Sequence, residues 1–220
     1  MNLIIVGAGR VGCSLTELAL REGHNVTLIE AEEKRAQEAT QKYDATVLHG
    51  NIAEGAILEE AGAEGADALV ATTSDDSANL MAMFLGKELG IKTLLSIVNN
   101  IKHRRLFERL EVHVIANPEL ILAQHLFGLL RQPKLEEVIT LPGGEEVFEI
   151  TVKQGSPLIG TTLEEAKQIP LLSDNLLIVS LKRGKHRLVP TPETTFSVGD
   201  HLTVFSQGPV SESQLKVFTG

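Results

Sequence analysis

The sequence LIIVGAGRVG at residues 3–12 decides the fold. Its first four residues are a short apolar run, which predicts a buried strand, and the glycines at positions 7, 9 and 12 form the pattern G-x-G-x-x-G. Beyond the glycines, Val11, Leu15, Leu18 and Ala19 recur with the period of one apolar helix face. The stretch therefore predicts a strand, a tight glycine turn and a helix in direct succession.

The three glycines have separate roles in that geometry. Gly7 allows the turn, Gly9 lets the backbone approach a pyrophosphate, and Gly12 lets the helix pack closely on the strand. The N-terminus of the helix presents free N–H groups and about half a positive charge to phosphate. Since glycine-rich turns are common, the pattern indicates a nucleotide site only together with its surroundings.

The second predicted strand supplies those surroundings. The run Asn25 to Ile29 predicts a strand that ends in Glu30, at the place where this kind of fold puts an acid on the adenosine ribose. A carboxylate there accepts hydrogen bonds from the ribose hydroxyls and repels a 2′-phosphate. NAD-like or adenine nucleotides are therefore favoured over NADP. The alternative is that Glu30 only caps the next helix.

Composition restricts the class of protein. The chain has 220 residues, 43% hydrophobic and 22% charged, with a net charge of −9. This charge argues against nucleic-acid binding, which needs clustered cations. One cysteine, Cys13, fits a reducing compartment, and no apolar stretch is long enough to span a bilayer. With no signal peptide before the first strand, we expect a cytoplasmic protein that does not insert into a membrane.

Polar residues follow several of the other predicted strands. Asn51 follows the third strand, and the run 72–76 (Thr-Thr-Ser-Asp-Asp) follows the fourth as an N-cap cluster that can also form a ligand loop. The helix after it is expected to bury a core stripe of Leu80, Met81, Phe84, Leu85 and Leu89.

Strands at 93–98 and 111–115 bring the number of predicted strands to six, which predicts an α/β, Rossmann-type parallel sheet with helices on both faces. The basic run 102–105 between them is read as a solvated face or a docking surface.

A helix is predicted from Asn117-Pro118-Glu119 to Arg131, because asparagine, proline and an acid are typical of a helix start. It is apolar around most of its circumference, so we expect a second subunit to cover it and form a dimer. After it the pattern changes to short strands and turns, including a turn at 142–144, and closes on a short polar tail. The predicted division is residues 1–117, a crossover and dimerisation helix with linker at 118–133, and a small α+β domain at 134–220.

No catalytic constellation is visible in the sequence. The only tyrosine, Tyr43, lacks a lysine four residues later, the seven histidines are scattered without metal-ligand spacing, and no serine or cysteine lies in an elbow motif. We therefore expect no enzyme and no metal site, and favour ligand sensing.

Several motifs together resemble one family. Besides the glycine pattern, these are HGN at 49–51, AGA at 61–63, ADALVATT at 66–73, NPE at 117–119, GSPLIGTTL at 155–163 and GDHL at 199–202. They resemble the Trk/Ktr regulatory subunits of bacterial potassium uptake, which are built on an RCK, or KTN, domain followed by a second regulatory domain. The likeness covers essentially the whole chain.

The resemblance implies a non-enzymatic cytosolic subunit at the cytoplasmic face of the membrane. Such subunits form dimers, often rings of dimers, under an integral-membrane potassium transporter or channel, and NAD/NADH or ATP/ADP alters their shape. The residues implied to bind the nucleotide are Gly7, Ala8, Gly9, Arg10, Val11, Gly12, Glu30, Arg35, Gly50, Asn51, Thr73, Ser74 and Glu119. Arg10 is implied for a terminal phosphate, and Arg35, from its spacing alone, is a solvated helix residue.

Two departures from the family pattern concern ligand choice. Asn51 stands where the family usually has aspartate, and Ile97 where it usually has a ligand-contacting arginine. They leave open which nucleotide binds best. An NAD-dependent oxidoreductase or redox sensor is the alternative function, and a regulatory half of a larger channel or exchanger is a third.

Overall fold

The computed structural model describes residues 1–54, 56–141, 143–169 and 171–220. It divides into two compact units, Met1–Glu119 and Leu120–Gly220. No helix in these ranges is long and apolar enough to cross a membrane.

The first unit is built on a parallel sheet of six strands in the order β3-β2-β1-β4-β5-β6. The strand order reverses at β1, which places the crevice that binds ligands in open α/β sheets beside the carboxyl end of β1. The predicted Rossmann-type α/β fold is therefore confirmed. Its strands are β1 Asn2–Val6, β2 Asn25–Glu30, β3 Thr46–His49, β4 Ala68–Ala71, β5 Thr93–Val98 and β6 His113–Ala116.

Helices cover both faces of this sheet. Because side chains alternate along a strand, Ile4 and Val6 of β1 enter one buried cluster, while Leu3 and Ile5 enter the other. The helices are α1 Arg10–Arg21, α2 Glu33–Lys42, α3 Ala56–Glu60, α4 Asp76–Glu88 and α5 Arg104–Arg109, with 3-10 turns at Ile52–Glu54, Ala63–Gly65 and Ile101–His103.

The apolar face predicted for α1 is wrong in part. Ala19 is buried and Leu15 packs partly buried on the core, but Val11 and Leu18 are exposed. The buried residues of the helix are Gly12, Thr16 and Ala19. Close packing of helix on strand favours small residues here, since a larger side chain at the contact would push the helix outward.

The predicted core stripe of α4 is also wrong in part. Leu80, Leu85 and Leu89 do pack partly buried on the core, but Met81 and Phe84 are exposed. The fully buried positions of α4 are Asn79, Ala82, Met83 and Gly86. Because apolar residues lie on different sides of this helix, its sequence is compatible with burying either of two faces. Packing against the sheet determines which face is buried.

The second unit contains an antiparallel sheet in the order β10-β9-β11-β8-β7. Phe148, Leu181 and Val204 are fully buried in its core cluster. The predicted small α+β domain is confirmed. Its elements are β7 Glu137–Thr140, β8 Glu146–Thr151, α7 Leu163–Gln168, β9 Leu176–Arg183, β10 His186–Leu188, β11 His201–Ser206 and α8 Glu212–Thr219, preceded by α6 Pro118–Arg131, which crosses the division between the units.

The chain ends in a helix. The expected polar tail is wrong, because residues 212–219 form α8, whose Leu215 and Phe218 are buried. Of the turn predicted at 142–144, Pro142 lies outside the described residues, and Gly144 has a left-handed φ of 94°.

Helix α6 begins and ends as predicted. Asn117 precedes it with a φ of 51°, a left-handed conformation that asparagine tolerates well. Gly128 is its one fully buried residue. The apolar side chains left exposed on it are Leu120, Ile121, Leu122, Leu126, Phe127 and Leu130.

Candidate nucleotide-binding site

The glycine turn joins β1 to α1 and is closed tightly on the inside. Gly7 has a φ of 100°, which favours glycine. A Cβ atom on Gly12 would lie 1.9 Å from the carbonyl oxygen of Gly7, so any side chain there would displace the turn. A Cβ atom on Gly9, in contrast, would meet nothing within 4 Å. The turn is therefore packed at its first and third glycines and open at the second.

The carboxylate of Glu30 is fixed against this turn. Glu30 is only 7% exposed, and its Oε2 atom accepts a hydrogen bond of 2.6 Å from the Ala8 backbone N–H. Its Oε1 atom accepts a hydrogen bond of 2.8 Å from the Glu32 N–H. Each carboxylate oxygen retains a second lone pair for a ligand hydroxyl. Glu30 therefore holds the glycine turn and is not the cap of the next helix, whose N-cap residue is Glu32.

An open cavity of about 470 Å³ lies over the turn, lined by Ala8, Gly9, Arg10, Cys13, Arg35 and Glu38. Arg10 comes from α1 and Arg35 from α2, so two cations reach the same cavity from two helices. Arg35 donates from its Nε atom to Glu32 Oε2 at 2.9 Å. Cys13 donates from its Sγ atom to the Ala8 carbonyl oxygen at 3.3 Å. Two cations beside the N-terminus of α1 suit a phosphorylated ligand.

Thr72 and Thr73 at the end of β4 close the other side of the turn. The Thr72 hydroxyl lies 3.0 Å from the Val6 carbonyl oxygen and 3.1 Å from that of Gly7. Fully buried Asn79 accepts hydrogen bonds from the N–H and hydroxyl of Thr73 and donates to the carbonyl oxygens of Thr73 and Ile97. Asn79 is part of a motif that resembles the family, but the sequence did not predict this role, because its partners Thr73, after β4, and Ile97, on β5, are brought together only by the fold.

Asp76, in the first turn of α4, forms a second missed network. It accepts hydrogen bonds from the backbone N–H groups of Asn99 and Asn100, from the Asn99 side chain, and from His103 Nδ1 at 2.7 Å. Burial opposes ionisation of this carboxyl group, but these hydrogen bonds together lower the pKa of Asp76 below its ordinary value. The network ties the loop after β5 to the N-terminus of α4. Asp75 is the N-cap residue and accepts from the Ser77 N–H, which confirms the predicted cap.

The remaining predicted site residues lie at varying distances from the turn. The Gly50 N–H donates to the Glu30 carbonyl oxygen at 2.9 Å, which places Gly50 and Asn51 beside the end of β2. Val11 and Ser74 are exposed. Glu119 follows β6, three strands from β1 in the sheet order, and is exposed.

A glycine turn on a Rossmann-type sheet, with an acid held at the end of β2, defines the first unit as a Rossmann-type α/β domain with a crevice suited to a ligand. Residues 3–118 match the TrkA-N domain family and residues 147–208 match the TrkA-C domain family. The chain belongs to the TrkA family. The predicted resemblance to Trk-type potassium-uptake subunits is confirmed.

Curated relatives carry the same assignment. A Trk system potassium uptake protein TrkA homolog from Methanothermobacter thermautotrophicus is 30% identical over the full length of both chains. The TrkA of Halomonas elongata is 28% identical over 93% of this chain, but only 45% of its own length is covered. The chain thus spans some relatives completely and about half of others.

Solved structures agree on the fold. The GsuK channel covers the whole chain with a TM-score of 0.64 at 17% identity, over 39% of the channel's own length. A structure described as the GsuK channel bound to NAD covers 98% of this chain and 38% of its own, with a TM-score of 0.60 and 17% identity. At these identities the likeness concerns the fold alone.

Proposed function

We propose that this chain is the nucleotide-binding regulatory subunit of a Trk-type potassium uptake system and acts by ligand-dependent conformational change rather than by catalysis. The single observation that carries the proposal is the glycine turn. It leaves no room for a side chain at Gly7 and Gly12 but is unobstructed at Gly9, and the Glu30 carboxylate is hydrogen-bonded to it. A nucleotide can shift a conformational equilibrium only by binding two states with different affinity.

Adenine nucleotides are the ligands that this site suits best. The backbone N–H groups of residues 9–12 and the Arg10 guanidinium face the phosphates, since the N–H groups of Gly7 and Ala8 already donate to Ile29 and Glu30. Glu30 receives the ribose hydroxyls. The ribose and base are bordered by Gly50, Asn51, Thr73 and Ser74. Glu119, which is exposed after β6, would reach a nucleotide at the dimer interface. NAD-bound and ADP-bound GsuK structures support this ligand class.

The partners follow from the exposed face of α6. Six apolar side chains on one helix form a surface that monomeric proteins seldom leave in water. We assign this helix to a dimer, within the division 1–117, 118–133 and 134–220. Dimers of this kind would assemble, as pairs or as a ring, at the cytoplasmic face of the membrane on an integral-membrane potassium transporter.

The ligand proposal is tested by calorimetric titration of the full chain with NAD, NADH, ATP and ADP. Gly9→Ala places a methyl group in the open space of the turn, and we expect binding at least about ten-fold weaker because the backbone can no longer approach the phosphates. Folding should change by no more than about 1 kcal/mol. Gly65→Ala is the matched control, since Gly65 is also open and lies in the same unit.

Unequal affinities within the NAD/NADH or ATP/ADP pair would identify the signal. The proposal fails if none of the four nucleotides binds, or if Gly9→Ala and Gly65→Ala bind equally well.

The dimer is tested separately. Replacing Phe127, which is 65% exposed, with glutamate should convert the chain to monomers, because a buried unpaired charge is costly at an apolar interface. Glu212→Lys, a charge change at the exposed start of α8, is the control. Sedimentation equilibrium distinguishes the two, and an unchanged dimer in Phe127→Glu would exclude α6 as the interface.

A further inference from the structure

One carboxylate beside the proposed site has no assigned role, namely Glu32. Its backbone N–H donates to Glu30 Oε1 at 2.8 Å, and its own Oε2 atom accepts from Arg35 Nε at 2.9 Å. Glu30 therefore positions Glu32, and Glu32 in turn holds Arg35. This chain of contacts connects the acid at the ribose position to a cation that lines the cavity over the glycine turn.

Arg35 lines the cavity over the glycine turn and lies five residues after Glu30 in the sequence. An acid at the end of β2 suits a free ribose hydroxyl, whereas an arginine nearby accommodates a phosphate in the same place. The planar guanidinium binds phosphate best when its donors are free. Here Glu32 occupies one of these donors and adds a negative charge, while Glu38 lines the same cavity.

We propose that Glu32 makes the site select an unphosphorylated adenosine ribose over a 2′-phosphorylated one by occupying Arg35; this inference rests on the proposed function. The selectivity against a 2′-phosphate then has two sources, the fixed carboxylate of Glu30 and the engaged guanidinium of Arg35. Glu32 is a specificity-determining residue that acts through Arg35.

The test compares NAD with NADP, which differ only by the 2′-phosphate. Glu32→Gln removes the charge but keeps the size of the side chain. We expect the ratio of the NADP to the NAD dissociation constant to fall by about three- to five-fold, because both partners of this ion pair are about half exposed, at 54% and 52%. NAD affinity itself should change little.

Glu33→Gln is the matched control. It removes the same charge from the next residue, which is the first of α2, but the Glu33 carboxylate accepts a hydrogen bond from Gln37 rather than from Arg35. The double variant Glu32→Gln/Arg35→Ala should return the ratio to the value of the unmodified chain or above, because the freed cation is then missing.

The outcomes separate the two proposals. If the unmodified chain does not bind NAD, this inference fails, and if it binds no other adenine nucleotide either, the proposed function fails with it. If it binds NAD but Glu32→Gln leaves the ratio unchanged, or Glu33→Gln lowers it equally, only the role of Glu32 is overturned. A lowered ratio that persists without Arg35 also contradicts the mechanism.

Discussion

Both units of the molecule bury carboxylates, and they stabilise them differently. In the first unit, Glu30 is bound by two backbone N–H groups, and Asp76 by two backbone N–H groups, an amide and a histidine. In the second unit, Glu146 and Asp200 each bind an arginine, Arg131 and Arg183 respectively, together with a backbone N–H. Buried carboxylates thus have two kinds of environment, one made of backbone N–H groups and the other containing an arginine.

Because of this difference, we expect the carboxylates of the two units to have different roles, one in ligand binding and the other in stability. A carboxylate bound by backbone N–H groups fixes the loops that supply them and keeps its negative charge for a ligand. A carboxylate paired with arginine has its charge neutralised locally, and hydrogen bonding to Asp200 also raises the pKa of Arg183. We therefore expect the acids of the second unit to matter for folding and those of the first unit to matter for the position of the site loops.

The largest expected effect is at Asp200. Its side chain is fully buried, and both its oxygens bind Arg183 at 2.7 Å, while Oδ2 also accepts from the Ser197 N–H. Asp200→Ala should lower the free energy of unfolding by about 2–4 kcal/mol, because a buried pair is broken but the half-exposed arginine can be solvated. Urea denaturation measures this loss. Asp174→Ala, an exposed acid of the same unit, should change it by less than about 0.5 kcal/mol.

The proposed difference between the acids of the two units would be wrong if Asp200→Ala were as stable as the unmodified chain. It would also be wrong if Asp200→Ala abolished nucleotide binding in a chain that still folds. Either result would give this acid the role that we assign to the first unit.

A smaller and pH-dependent effect is expected at Asp76. Because its pKa is lowered in the folded chain, its contribution to stability is complete above the pKa of the unfolded chain and is lost as pH falls through the lower folded pKa. Asp76→Asn should therefore be about 1–2 kcal/mol less stable than the unmodified chain at pH 7, and this difference should shrink below about pH 4.

Denaturation of both chains across pH 3–7 measures the Asp76 contribution. Asp44→Asn, at an exposed position, is the control and should show a constant small difference. A deficit in Asp76→Asn that is the same at every pH would assign the effect to packing rather than to the charged hydrogen bonds.

Local patterns predicted the backbone of both units well. The glycine turn was predicted, as were all six parallel strands and the start of α6. Each of these features depends on residues that are close together in sequence. The helix α8 was readable too, since Ser211 and Gln214 form a capping box, a pattern visible in sequence but overlooked. What local pattern could not supply was the face that a helix buries, as Met81 and Phe84 illustrate. Nor could it supply networks such as that of Asn79, whose partners are far apart along the chain.

The smallest effect on stability, and the most informative for binding, is expected at Glu30. Glu30→Gln keeps an acceptor for one of the two N–H groups, so we expect the ligand-free chain to lose only about 1 kcal/mol. At a NAD concentration of about 100 times its dissociation constant, the unmodified chain should gain about 2.7 kcal/mol, whereas a variant that binds ten-fold more weakly gains about 1.4 kcal/mol. Asp200→Ala should retain the full gain despite its larger loss of stability. Denaturation of the three chains with and without NAD therefore separates the two kinds of acid, and an equal gain in Glu30→Gln would remove Glu30 from the ribose site.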